Sequence, residues 1–351
     1  MKEKALGILI SIIALFGCSS ESYDISSVCL RDEIGNYIVK WETNPVLEGT
    51  AKIYVSDVPG VFNMDKPVLT APIKKGIVRY ITKDNINRRY FRITFNDRYP
   101  QDVAARYADL EVVQNFRDVG GYKNRKGKSV KWGKLFRSGT ISGLSHSDSI
   151  RIRKFGIKTI IDLRSDKEVL EKPLSFAKVN IIQIPIPSGN KTDIFKRIQE
   201  NKVRKRDGTL FMEDTYIRFV INNTEEYADA FHLLLDEDNY PILVTGDLGK
   251  DRVGLFVSLL FKLLDIPNDV IMREYLSSSN HIDPSFMANQ VSSLSFDSQE
   301  TMTVLLSVKE SFINIAFNEI YNRFGTFDNY RETGLKLSSK KQQKLKDILL
   351  N

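Results

Sequence analysis

Cysteine and histidine are scarce in this chain. There are two cysteines, Cys18 and Cys29, and three histidines in 351 residues. A disulfide framework is excluded, and no Cys/His set has the size or spacing of a zinc site. Long apolar runs are also lacking. The one continuous run, residues 5–16, is shorter than the roughly 20 residues a membrane-spanning helix needs. No zinc-finger spacing, aromatic RNA-binding motif or long basic helix occurs. The basic excess, a formal charge of +7 and a pI of about 9.1, therefore points to an anionic ligand or surface before nucleic acid. Neither internal repeats nor low-complexity tracts are present. What remains is an ordinary globular balance, 42% hydrophobic and 27% charged, with material for two domains.

The N-terminus has its own pattern. Lys2 and Lys4 precede the apolar run, which ends in Leu15-Phe16-Gly17-Cys18. This resembles a bacterial lipoprotein signal, with Phe16 bulkier than usual. The resemblance implies cleavage after residue 17, lipidation of Cys18, a polar tether over 18–24, and export to the cell envelope with a lipid anchor in the membrane. A noncleaved anchor helix is the competing reading.

Residues 23–98 alternate with a period of two in Tyr37-Ile-Val-Lys-Trp41, Ala51-Lys-Ile-Tyr-Val55 and Tyr90-Phe-Arg-Ile-Thr-Phe95, separated by turn formers such as Asn44-Pro45 and Pro59-Gly60. A small β-sandwich is expected, similar to a fibronectin type III-like or immunoglobulin-like module. Cys29 falls among these strands and reads as a core residue. Residues 106–351 change to alternating strands and helices. Short buried strands are expected at 158–163 and 241–244, helical periodicity over 191–236, a buried helix over 255–264, and amphipathic helices over 304–323 and 338–350. The expected class is an α/β domain with a central, mostly parallel sheet flanked by helices.

The chemistry concentrates where the second strand ends. Thr245-Gly-Asp-Leu-Gly-Lys-Asp-Arg252-Val-Gly254 joins a buried strand to a helix. Backbone N–H groups in such a turn, with the helix dipole, make an anion cradle. Lys250 and Arg252 add positive charge, and the arginine fork suits phosphate oxygens.

Several motifs around this loop, in order, resemble the bacterial tyrosine/lipid phosphatase-like family of the protein tyrosine phosphatase superfamily. They are Asn115-Phe-Arg-Asp-Val-Gly-Gly-Tyr122, Gly133-Lys-Leu-Phe-Arg-Ser-Gly139, Gly156-Ile-Lys-Thr-Ile-Ile-Asp-Leu-Arg-Ser165 with Glu168, and Glu274-Tyr-Leu276. The resemblance runs over about 107–350. It implies a phosphate loop of the form His-Cys-x-x-Gly-Lys-Asp-Arg-Thr/Ser-Gly. Its cysteine thiolate attacks phosphorus, its arginine holds the oxygens, and its aspartate is the general acid. Gly246, Asp247, Leu248, Gly249, Lys250, Asp251 and Arg252 then line the phosphate, with Asp251 as candidate acid. No cofactor and no metal are implied.

Three positions depart from that form. Thr245 replaces the histidine, Gly246 the nucleophile, and Val253 the hydroxyl residue. All three belong to the thiolate and none to the phosphate. Without a thiol the phosphocysteine route is closed. A thiolate about 4 Å from a phosphate also repels it by about 4 kcal/mol per charge pair at an effective dielectric of about 20. Binding without cleavage is therefore the leading expectation, with a phosphorylated peptide or a phospholipid or inositol phosphate as ligand. A phosphoric monoester hydrolase working through Asp247 or water is one alternative. A structural surface adhesin with a relic loop is another. Asp247 otherwise reads as bonded to nearby N–H groups or to Lys250. Arg117, Asp118, Arg137, Asp162, Arg164 and Glu168 read as an internal ion lattice, with Arg137 and Arg164 best placed to meet a second anionic group. Lys202 to Arg206 reads as a basic run in a lid, and residues 123–128 as a basic hairpin.

Overall fold

The computed structural model describes residues 23–351 except 85, 109, 177 and 288–290. The signal segment and Cys18 lie outside the described residues.

Seven strands form the first domain: β1 (Asp24–Arg31), β2 (Tyr37–Asn44), β3 (Thr50–Ser56), β4 (Leu69–Pro72), β5 (Ile77–Tyr80), β6 (Tyr90–Phe95) and β7 (Tyr99–Ala104). They build two antiparallel sheets, β1-β2-β5 and β4-β3-β6-β7. The alternation seen in the sequence is the cause: Tyr37, Val39 and Trp41 of β2 and Ile93 and Phe95 of β6 turn inward and fill one core. The Trp41 indole donates to the Ile73 carbonyl at 2.8 Å. Cys29 is buried in this core, and burial pushes its thiol up to about 12, which the Arg88 charge only partly offsets. The sheet runs past residue 98, because β7 pairs along its whole length with β6. Pro100 disguises this strand, and an edge position tolerates it.

The second domain holds a five-stranded sheet in the order β11-β10-β12-β9-β8. Its strands are β8 (Arg117–Asp118), β9 (Leu135–Ser138), β10 (Thr159–Asp162), β11 (Asn180–Gln183) and β12 (Ile242–Thr245). All pairs are parallel except β8 with β9. The helices that follow are α1 (His146–Arg153), α2 (Asp166–Glu171), α3 (Lys191–Gln199), α4 (Asp207–Ile221), α5 (Thr224–Leu233), α6 (Arg252–Leu263) and α7 (Asn268–Leu276). Central strand β12 is buried on both faces. Ile242 and Val244 join the large core with α4, α5 and α6, while Leu243 joins Ile152 of α1 and Ile160 of β10 on the other side. Such double burial explains why 241–244 reads as a continuous apolar run.

One helix expectation needs correction. Residues 304–323 are not a single helix. One helix spans Phe296–Leu306 and another Glu310–Phe324. Ser307 between them is extended, with φ −77° and ψ 163°. Its carbonyl, released from helical pairing, accepts the Lys250 ammonium at 3.1 Å.

The domains touch through polar groups, most of them partly buried. Arg88 of the sandwich donates to Asp118 at 2.6 Å and to the Ala105 carbonyl at 2.9 Å. Trp132 donates to the Asp102 carbonyl at 2.9 Å, and Lys123, in the basic hairpin, donates to the Ile25 carbonyl at 3.1 Å. Among the described residues no helix is long and apolar enough to cross a membrane.

Candidate functional site

Residues 246–251 leave the C-terminal end of β12, the central strand, where ligands of open α/β sheets gather. Thr245 is paired in register with Asp162 on one side and Ser138 on the other. Its hydroxyl donates to the Gly139 carbonyl at 2.7 Å, so the side chain at the histidine position fastens the loop to β9.

The loop is fixed from behind through its carbonyls. The Thr140 N–H donates to the Asp247 carbonyl at 2.8 Å. Asn115 Nδ2 donates to the carbonyls of Leu248 (3.2 Å) and Gly249 (3.0 Å). Arg137 Nη2 donates to the Gly249 carbonyl at 2.5 Å. In a trans peptide the N–H points opposite the preceding carbonyl. The N–H groups of Leu248, Gly249 and Lys250 therefore face away from this scaffold. Among the described residues none of them donates to the protein. The first-turn N–H groups of α6 add to them, as at any helix start. Gly249 makes the turn possible. Its φ is +66°, and a Cβ there would lie 2.2 Å from the Ser138 carbonyl oxygen.

Arg252, the first residue of α6, is buried. Its Nη1 and Nη2 each meet one oxygen of Glu168 at 2.8 Å, and Nη1 also reaches the carbonyls of Leu163 (3.1 Å) and Ile186 (2.6 Å). A guanidinium has five N–H bonds. The Nε–H and one hydrogen on Nη2 remain, and these form the side-on fork. Nε lies 3.7 Å from where a Cβ on residue 246 would stand. The free edge of the arginine thus faces the position of the missing nucleophile.

The other loop charges have partners. Lys250 is almost wholly buried, and its ammonium meets Asp251 at 2.7 Å and the Ser307 carbonyl. Its backbone N–H, not its ammonium, faces the cradle. Asp251 Oδ1 also accepts from Tyr216 at 2.9 Å, and Tyr216 lies 2.7 Å from the Tyr275 hydroxyl. Burial first, then Asp251 and Tyr275, push the Tyr216 pKa well above its ordinary value, so it is a neutral donor. Asp247 is not bound to Lys250. It meets Lys191 at 2.7 Å, and Lys191 meets Glu168 at 2.7 Å. Burial would raise both carboxyls. For Glu168, Arg252 and Lys191 outweigh it and hold the group far below the usual carboxylate range; for Asp247, Lys191 and Arg252 outweigh it and lower the group. Arg252, Glu168, Lys191 and Asp247 make an alternating chain of charge along the mouth. Nothing local in the sequence singles out Lys191, since the fold alone brings the start of α3 to the loop.

The ion lattice is present. Glu274 bridges Arg117 (2.7 Å) and Arg137 (2.8 Å), and Arg164 forks Asp162. Arg137 and Arg164 are buried, and their bonds run to Glu274, the Gly249 carbonyl, Asp162 and the Lys172 carbonyl, so both serve the internal lattice and not the second anionic group expected for them. Residues 202–206 do not line the loop's cavity, whose wall comes from α3, α4 and the end of the helix Phe296–Leu306. That cavity, about 60 Å³, is walled by Ile194, Phe195, Phe211, Met212, Leu305 and Leu306. Among the described residues no group of three or more His, Cys, Asp or Glu is placed to hold a metal ion.

Known proteins resemble this chain in sequence. The triple specificity protein phosphatase PtpB of Mycobacterium tuberculosis is 25% identical over 263 residues, covering 65% of this chain and 94% of its own. A candidate tyrosine-protein phosphatase of Cupriavidus necator is 25% identical over 233 residues, covering 65% and 84%. Among solved structures, the core catalytic domain of the S. cerevisiae PP-IP phosphatase SIW14 is 16% identical, covers 53% of this chain and 88% of its own, and superposes with a TM-score of 0.28. That superposition is too loose to carry weight. The profile of the tyrosine phosphatase family matches residues 108–351. Over most of its length, then, this chain belongs to the tyrosine phosphatase family.

Proposed function

We propose that this chain binds phosphorylated ligands and does not hydrolyse them by the cysteine route of its family. One observation carries the reading. Beneath a cradle of unpaired N–H groups and the free edge of Arg252, residue 246 offers no side chain at all. An anion meets donors there with no thiolate to oppose it. The relatives named as protein phosphatases support a phosphorylated protein as ligand class.

Calorimetry with phenyl phosphate and a phosphotyrosine peptide tests this. Binding is expected in the parent and is lost in Arg252→Ala. Arg252→Lys, which keeps a cation for Glu168 but no fork, controls for folding and should bind at least about tenfold more weakly. A parent that binds neither probe sinks the proposal. Turnover of an aryl phosphate above buffer, abolished in Asp247→Asn, would replace it with the hydrolase reading. Against that reading stands Lys191, which holds the Asp247 carboxylate at 2.7 Å.

We also propose that Cys18 is lipidated and anchors both domains at the bacterial cell envelope. The residues of the N-terminal pattern are the support. Cys18→Ala should move the protein from the membrane fraction to the soluble one.

A further inference from the structure

The cavity over the loop opens into a larger groove of about 840 Å³. Ser188, Lys191, Phe195 and Asp247 line both, so the two are continuous. One wall of the groove is α2 and the residue after it, with Lys167 and Lys172. The other is α3, with Lys191 and Lys196. The charges in this groove are not balanced. Glu168 and Asp247 are neutralised by Arg252 and Lys191 at 2.7–2.8 Å. Lys167 meets Glu171 only at 3.9 Å, and the Thr192 hydroxyl at 2.7 Å. Among the described residues, Lys172 and Lys196 make no ion pair or hydrogen bond through Nζ, and both are exposed. Among the described residues, Lys172 and Lys196 thus stand on facing walls beside the phosphate cradle with no carboxylate within ion-pair distance, Glu200 acting on Lys196 only at longer range.

The wall of the small cavity facing the loop is mostly apolar, with Ser188, Lys191 and Thr215 as its polar exceptions. Phe195 and Phe211 suit the flat face of an aromatic ring and favour it over a polyhydroxylated ring, which would find few polar partners on that wall. The cavity floor is the anion cradle. An aromatic side chain carrying phosphate fits both, and the chain on either side of it must then leave through the groove.

We infer that this groove is a second anion subsite, which takes acidic side chains flanking a phosphotyrosine seated in the loop. The inference rests on phosphate binding by the loop and adds its ligand class, an acidic phosphopeptide. Lys172 and Lys196 are the specificity-determining residues. Exposed charges act weakly one at a time, so the preference is a sum over several contacts and is screened by salt.

Two phosphotyrosine peptides test it on the full chain, one with Glu at the flanking positions and one with Gln. The acidic peptide should bind about tenfold more tightly at low salt. The preference should shrink at high salt and fall to about one in Lys172→Glu/Lys196→Glu, with thermal unfolding checking the variant's fold. Equal binding of the two peptides by the parent overturns this inference and leaves phosphate binding standing. Binding of neither overturns both. A preference that survives the double charge reversal overturns the assignment to this groove. Tighter binding to phosphoinositide-containing vesicles than to the acidic peptide overturns the peptide as occupant.

Discussion

Gly246 and Val253 share one space. A Cβ added at 246 would lie 3.0 Å from Val253 Cγ2, tighter than ordinary contact, and Val253 is fully buried in the first turn of α6. The valine methyl stands against the place where a cysteine would begin. Restoring the cysteine alone therefore overpacks the site. Gly246→Cys/Val253→Ser should hydrolyse an aryl phosphate at least about tenfold faster than Gly246→Cys, since the serine both removes the methyl and supplies a hydroxyl beside the thiol. Equal rates in the two would show that Val253 imposes no restriction. The sequence reveals each departure from the family form, because motif spacing fixes position. It does not reveal that the two side chains would collide, since residues seven apart meet only once the loop has turned. Lys191 is hidden for the same reason: 56 residues separate it from Asp247, and no periodicity connects them.

At the scale of elements, helices α2, α3 and α6 are joined at the site by Glu168. A capping box with Ser165 opens α2 and presents this carboxylate. It then binds Arg252 of α6 and Lys191 of α3. Its folded pKa is depressed below the unfolded value of about 4.3. The stability it contributes is thus complete above that value and is lost as pH falls toward the folded pKa. Denaturant unfolding of Glu168→Gln and parent between pH 7 and 3 checks this. The variant should be less stable at neutral pH and lose less on acidification. Parallel curves would show that Glu168 titrates alike in both states. Strands β2, β3, β6, β10 and β12, with α6 and the loop, are legible in sequence because burial and spacing are local signals. The break at Ser307 is not. The carbonyl freed there accepts from a lysine 57 residues earlier, and helical periodicity on both sides conceals the interruption.

Across the whole molecule, the sandwich and the α/β domain meet at Asp118, a residue of the family motifs. Its carboxylate accepts from the N–H groups of Gly120 and Gly133 and also from Arg88 of the other domain. Both side chains of this pair are nearly inaccessible. Breaking a buried pair from one side costs about 3–5 kcal/mol. Arg88→Ala should lower the melting temperature of the entire protein in a single calorimetric transition. Two separate transitions, with only the first displaced, would show that the domains fold independently. Composition and alternation indicate two domains, but only the fold shows that a motif aspartate joins them. The loop has a similar division of labour. Asn115, Thr140 and Arg137 hold its carbonyls from the side opposite its free N–H groups. Receptacle and reagent are therefore separately heritable. A lineage that discards its nucleophile keeps the scaffold that shapes the loop, because none of these carbonyl bonds passes through residue 246.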